Sequence, residues 1–136
     1  MGLHIKLRPH ERLILNGCVI RNGDRATNIE IENRADILRG SEILSAGDCD
    51  TPVAQIQSAM QLALVSRQDR DKLLPVIEKG LSEIATAISG YSKEIDEARA
   101  FARTGEFYRA YKRLAPVAER ESLLLGRLTS KGEYAA

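Results

Sequence analysis

A chain of 136 residues is the size of one domain and can bury only a moderate core. Hydrophobic residues at 43% and charged residues at 29% exclude a disordered chain, and the lack of Trp with 4% aromatics means an interior of Leu, Ile, Val and Ala. A net charge of +1 excludes a uniformly basic nucleic-acid binder, but residues 1–30 hold five Lys/Arg against three Asp/Glu, residues 31–98 seven against twelve, and residues 99–131 eight against three.

The first third reads as strands. Leu3, Ile5 and Leu7 alternate with His4, Lys6 and Arg8, the period of a half-buried strand. Arg8-Pro9-His10-Glu11 is a turn, and Arg12 to Leu15 a second apolar run. Asn16-Gly17 and Asn22-Gly23 are both hairpin signals, because Asn and Gly tolerate positive φ, and the short strand Cys18-Val19-Ile20 lies between them. Thr27 to Glu32 alternates again, with Ile29 and Ile31 inward, and Ala35 to Arg39 reads as a last strand. The expectation is a small antiparallel meander of four or five strands over residues 1–49, open or barrel-like.

The remainder reads as about four helices over residues 50–128, giving an α+β fold. Asp50-Thr51-Pro52 is a helix start, with Val53, Ile56, Met60, Ala63 and Leu64 at helical spacing after it. A second helix runs from about Arg70 to Ser89, with Leu73, Ile77, Leu81, Ile84 and Ile88 on one stripe, Pro75 near its first turn and Gly90 as its cap. A third runs from Ser92 to Thr104-Gly105, and a fourth from about Glu106 to Leu125, kinked at Pro116. Residues 129–136 read as a flexible tail. Strands and helices are expected to pack as one compact domain, or the strands to pair with a second copy in a homodimer.

No run of about 18 apolar residues suggests a membrane span. His4, Lys6 and Arg8 interrupt any signal-peptide pattern, so a cytoplasmic chain with Cys18 and Cys49 as reduced thiols is expected. His4, His10, Cys18 and Cys49 lack the close pairing of a zinc site, and there is no phosphate loop, dinucleotide fingerprint or nucleophile elbow, so no catalytic residue, metal or cofactor is assigned.

Two basic arrays remain. Arg109, Lys112, Arg113, Arg120 and Arg127 share one face of the last helix, opposite Phe107, Tyr111, Leu114, Ala118 and Leu125. They suit phosphate contacts, or are simply the solvated side of an amphipathic helix. Lys6 and Arg8, with His4, line the outer face of the first strand, and Arg12, Arg21, Arg25 and Arg39 can join them through the meander. Exposed sheets read single-stranded RNA, whereas the plainer reading is a charged edge that blocks aggregation.

The run from Leu3 through Arg12, then Ile14-Leu15-Asn16-Gly17-Cys18-Val19-Ile20-Arg21-Asn22-Gly23, resembles the start of FlbT flagellar regulators. Asp50-Thr51-Pro52 with Met60, and the segment Gly105 to Leu114, are similar to that family as well. The resemblance implies a non-enzymatic regulator that associates with the 5′ untranslated leader of flagellin mRNA and affects its translation and decay, with repression the expected sign. It also implies a link to FlaF and flagellin as protein partners. A fainter similarity to the carbon storage regulator CsrA places Arg39 at an RNA-contacting Arg and flanks the first-strand position with Lys6 and Arg8, while Leu7 departs from that pattern. The rival reading is a module that holds an amphipathic helix of flagellin or FlaF in an apolar groove.

Overall fold

In the computed structural model, which describes residues 2–126, five strands precede five α-helices, the α+β order read from the sequence. The strands are β1 (Leu3–Leu7), β2 (Arg12–Leu15), β3 (Cys18–Arg21), β4 (Thr27–Ile31) and β5 (Ile37–Leu38). They do not form one meander, and among the described residues they close no barrel. β1 pairs antiparallel with β4, while β2 is the centre of a second sheet in the order β3-β2-β5.

The two Asn-Gly pairs explain the split. Asn16 (φ 48°) and Gly17 (φ 83°) take the two positive angles of a type I′ turn and join β2 to β3 directly. Asn22-Gly23 makes no hairpin, and Asn22 is not among the positive-φ residues. Its amide Nδ2 instead donates to the carbonyls of Arg8 and Arg25, both at 2.8 Å, and its backbone N donates to Glu11 O at 2.8 Å. Asn22 therefore staples the first turn to the loop before β4, which sends the chain across to β1.

Period-two alternation in β2 then divides the core. Leu13 joins Ile5 and Leu7 in a small cluster with Ile29, Ile31 and Ile37. Ile14 faces the other way and, with Leu38, joins the main cluster among the helices. Leu3, read as inward, is exposed at the strand end.

The helices are α1 (Pro52–Val65), α2 (Arg70–Ala87), α3 (Ser92–Arg103), α4 (Phe107–Arg113) and α5 (Ala115–Leu124). α1 packs on α2, α4 and α5, and α3 packs on α2 and α4. Val53, Met60, Ile77, Leu81, Ile84, Ile95 and Leu114 are fully buried between them. Pro75 lies inside α2, beyond the first turn. The expected single last helix is two: Pro116, lacking an N–H, cannot continue the ladder and instead sits in the first turn of α5. The restart shifts the helical phase, so Val117 and Glu121 turn inward and Leu125 stays exposed.

The start of α1 is closed twice. Thr51 Oγ1 accepts from Ala54 N at 3.2 Å, and the buried carboxylate of Glu121 accepts from Val53 N at 3.0 Å. A carboxylate at a helix N-terminus satisfies a free donor and opposes the positive end of the dipole. Arg127 and residues 129–136 lie outside the described residues.

The hairpin meets the helices at Gly17, where a Cβ would lie 2.4 Å from the carbonyl oxygen of Leu64. Gly17→Ala therefore meets both a left-handed backbone and a backbone clash. We expect a loss of about 2 kcal/mol or more in urea unfolding, with Gly90→Ala, a positive-φ site with open space around it, costing less.

Candidate nucleic-acid interface

After β5 the chain makes a short 3-10 turn, Gly40–Glu42, that holds Arg39 in place. Glu42 Oε1 accepts from Arg39 N at 3.0 Å, an i, i+3 closure of the kind found at helix starts. The same carboxylate pairs with Lys112 Nζ, and the Glu42 carbonyl accepts from the Tyr111 hydroxyl. Gln61 of α1 holds the next residue pair in register, accepting from Leu44 N at 2.9 Å and donating to Leu44 O at 3.1 Å. The segment between sheets and helices is thus fixed from α1 and from α4.

Arg39, so placed, reaches back to the first sheet and donates from Nη2 to Lys6 O at 3.1 Å. Its Nε is buried and has no hydrogen-bond partner among the described residues. Around it lies a cleft of ≈ 890 Å³ lined by Lys6, Arg8, His10, Glu11, Arg12, Arg39, Gly40, Ser41 and Ile43. Four permanent cations face one carboxylate there, and Glu11 Oε1 already accepts from Arg8 N at 2.8 Å. None of the four cations is in an ion pair among the described residues. Arg21 lies directly across the ladder from Arg12, a like-charge pairing that disfavours the bare sheet.

The last-helix array behaves differently. Arg109 pairs with Glu106 at 3.6 Å, Arg113 with Glu97 at 3.2 Å, and Lys112 with Glu42. The guanidinium carbons of Arg109 and Arg113 each lie 5.8 Å from the centroid of the Phe101 ring. Arg120 is exposed on α5, and Arg25 is exposed in the loop before β4. The fold therefore gathers Lys6, Arg8, Arg12 and Arg39, sets Arg21 beside them, and engages Arg109, Lys112 and Arg113 with carboxylates. Sequence reasoning did not place His10 at this cleft. It also missed Glu42 as the residue that orients Arg39, although the Arg39-x-x-Glu42 spacing is the signal for it.

Burial alone would raise the Glu42 carboxyl. The Lys112 ammonium hydrogen bond, the Arg39 N–H and the charges of Lys112 and Arg39 together outweigh it and hold the carboxyl below its ordinary range. The Tyr111 hydroxyl is pushed up to about 12, by burial first and then by the negative charge of Glu42 and the Cys49 thiol. A lowered carboxyl adds stability that is complete at neutral pH and is lost as pH falls through the lowered value. Glu42→Gln should therefore cost about 1 kcal/mol near pH 7, and its difference from wild type should shrink as pH falls through the lowered Glu42 value. Urea melts at several pH values read this directly; a constant difference contradicts the assignment.

Comparison with known proteins adds the family. The family model described as flagellar protein FlbT matches residues 3–125. A probable flagellum biosynthesis repressor protein FlbT of Rhodopseudomonas palustris (strain TIE-1) is 30% identical over 127 residues, covering 93% of this chain and 100% of the relative. The flagellum biosynthesis repressor protein FlbT of Caulobacter vibrioides (strain ATCC 19089 / CIP 103742 / CB 15) is 29% identical over 83 residues, 61% of this chain and 59% of the relative. A probable flagellum biosynthesis repressor protein FlbT of Mesorhizobium japonicum is 27% identical over 127 residues, 87% of this chain and 83% of the relative. No solved structure matches.

Proposed function

Because the chain belongs to the FlbT family of flagellar proteins, we propose that it is a non-enzymatic repressor of flagellum biosynthesis whose basic cleft binds the 5′ untranslated leader of flagellin mRNA. Binding there lowers translation of the transcript and hastens its decay, in the cytoplasm. The repressor role rests on the names of the relatives. The RNA contact rests on one observation: Lys6, Arg8, Arg12 and Arg39 line one cleft with Glu11 as its one carboxylate, and none of the four is in an ion pair among the described residues. Surface cations that serve only solubility lose little by pairing or by standing apart, since an exposed ion pair contributes about 0–1 kcal/mol.

The cleft predicts its own salt dependence. Four phosphate contacts on a single strand give a slope of about −3 in log affinity against log salt, or roughly fiftyfold weaker binding between about 50 and 200 mM salt. The double charge reversal Arg8→Glu/Arg12→Glu should lower leader affinity by at least about tenfold and flatten the slope by about 1 or more. Arg109→Gln, whose side chain is paired with Glu106, should leave both unchanged. Mobility shifts with leader RNA at several salt concentrations measure these values; equal binding by wild type and the double variant sinks the reading.

A second reading has its own observation. Val19, Leu62 and Val65 are 52%, 45% and 38% exposed and line one groove between β3 and α1, beside Arg12. Such a groove suits an amphipathic helix from flagellin or from FlaF. A partner protein that co-purifies after nuclease treatment and is lost on Leu62→Glu would favour it.

A further inference from the structure

A second pocket lies on the helix side of β5. It is ≈ 350 Å³, near the lower bound of about 300 Å³ for small-ligand sites, and so suits one nucleotide unit better than a large cofactor. Arg67 and Arg70 line it, and neither is in an ion pair among the described residues. Arg70 is oriented by a hydrogen bond from Nε to Ala63 O at 2.7 Å and by its position over the Phe107 ring, 5.0 Å from the centroid. Desolvation and the neighbouring Arg67 charge pull its pKa below the ordinary value, as expected for two cations without a counter-ion.

The other wall holds a carboxylate. Asp36 is fixed through its backbone, whose N donates to Asn16 Oδ1 and whose O accepts from Asn16 N, both at 2.8 Å. Asp36 lines the same pocket as the two arginines and is in an ion pair with neither. Tyr108 and Phe107 supply aromatic surface, in a chain that has only 4% aromatics. A simple anion makes no use of Asp36, and a simple cation is repelled by Arg67 and Arg70. A ligand carrying a phosphate, a flat ring and ring-edge donors uses every feature.

We propose that this pocket binds one guanine nucleotide unit: phosphate at Arg67 and Arg70, base against the Tyr108 ring, base edge on Asp36. Guanine is the choice because its Watson–Crick edge presents two adjacent donors, N1–H and N2–H, to an acceptor-only carboxylate. Where the unit belongs to an RNA strand, it is an unpaired base of the leader, and that part rests on the function proposed above. Leu38 lines this pocket and Arg39, next to it in sequence, lines the basic cleft.

The test uses the whole chain with 5′-GMP, 5′-AMP, 5′-CMP and 5′-UMP, and with short leader oligonucleotides with and without an unpaired guanine. Calorimetry reads affinity, and circular dichroism confirms folding. GMP should bind best. Arg67→Glu should weaken every nucleotide by roughly tenfold or more, and Asp36→Ala should erase the guanine preference while keeping residual binding. GMP binding that guanine-bearing oligonucleotides do not compete for supports the pocket with a free nucleotide as its ligand and removes only the leader. Loss of leader binding in Arg8→Glu/Arg12→Glu alone, with Arg67→Glu and Asp36→Ala equal to wild type for all ligands, overturns the pocket and leaves the cleft standing. No difference among the four mononucleotides overturns the guanine assignment.

Discussion

Glu42 has to satisfy three demands with one carboxylate and one carbonyl, and the arrangement of the molecule depends on it. It closes the turn that starts at Arg39, takes the charge of Lys112, and through its carbonyl receives the Tyr111 hydroxyl. The first of these sets the direction of Arg39; the other two attach that turn to α4. The strands alone bury only Ile5, Leu7 and Leu13 fully in their own cluster, too little for an independent unit. Ile14 and Leu38 carry the sheet into the helical core, and the Glu42 contacts hold the linker at the angle that lets them stay there.

The same arrangement sorts the charges. Lys112 and Arg113 sit where acidic residues of other elements reach them, and Arg109 pairs with the N-cap residue of its own helix, so their contribution is local and modest. Lys6, Arg8, Arg12 and Arg39 are in no ion pair among the described residues: in the sheet of β1 and β4, Glu30 stands across from His4, and Asn28 across from Lys6. A chain with a net charge of +1 can therefore present one strongly positive cleft. Net charge is a poor guide when cations and carboxylates segregate in space.

Local signals in the sequence carried the elements and failed where distance mattered. Whereas α2 stops at Ala87 with an extended Ile88 as its cap, short of the expected cap at Gly90, Thr51-Pro52 and Gly105 mark helix ends by conformational rules that need no tertiary context. Asn16-Gly17 is of the same kind. Asn22-Gly23 carries the same dipeptide, but its side chain has partners in the first turn and the loop before β4, and those hydrogen bonds decide the outcome. The pairing of β1 with β4 is non-local in the same sense. Lys112 and Glu42 are 70 residues apart, so a helical projection of the last helix shows a bare cationic stripe where the fold has an ion pair. The gathering of Lys6, Arg8, Arg12 and Arg39 could be read as a set of outward strand positions. Their enclosure with the unpaired Nε of Arg39 could not, since it needs the turn geometry at Gly40.

Strand alternation also explains why so small a sheet can serve two surfaces. Asp36, Ile37, Leu38 and Arg39 are consecutive, yet they go to the helix-side pocket, the small cluster, the main cluster and the cleft in turn. A helix would have spread four such residues around its circumference and reached one layer with each face. A two-residue strand between two cores does it with the minimum of chain, because each step reverses the side-chain direction. The cost is that β5 has almost no pairing of its own beyond Ile14 and Leu15, so its position depends on burial of Leu38 and on the Asn16 contacts at its entry. Whatever disturbs those contacts moves Asp36 and Arg39 together, and neither basic surface can be altered through β5 without the other being displaced as well.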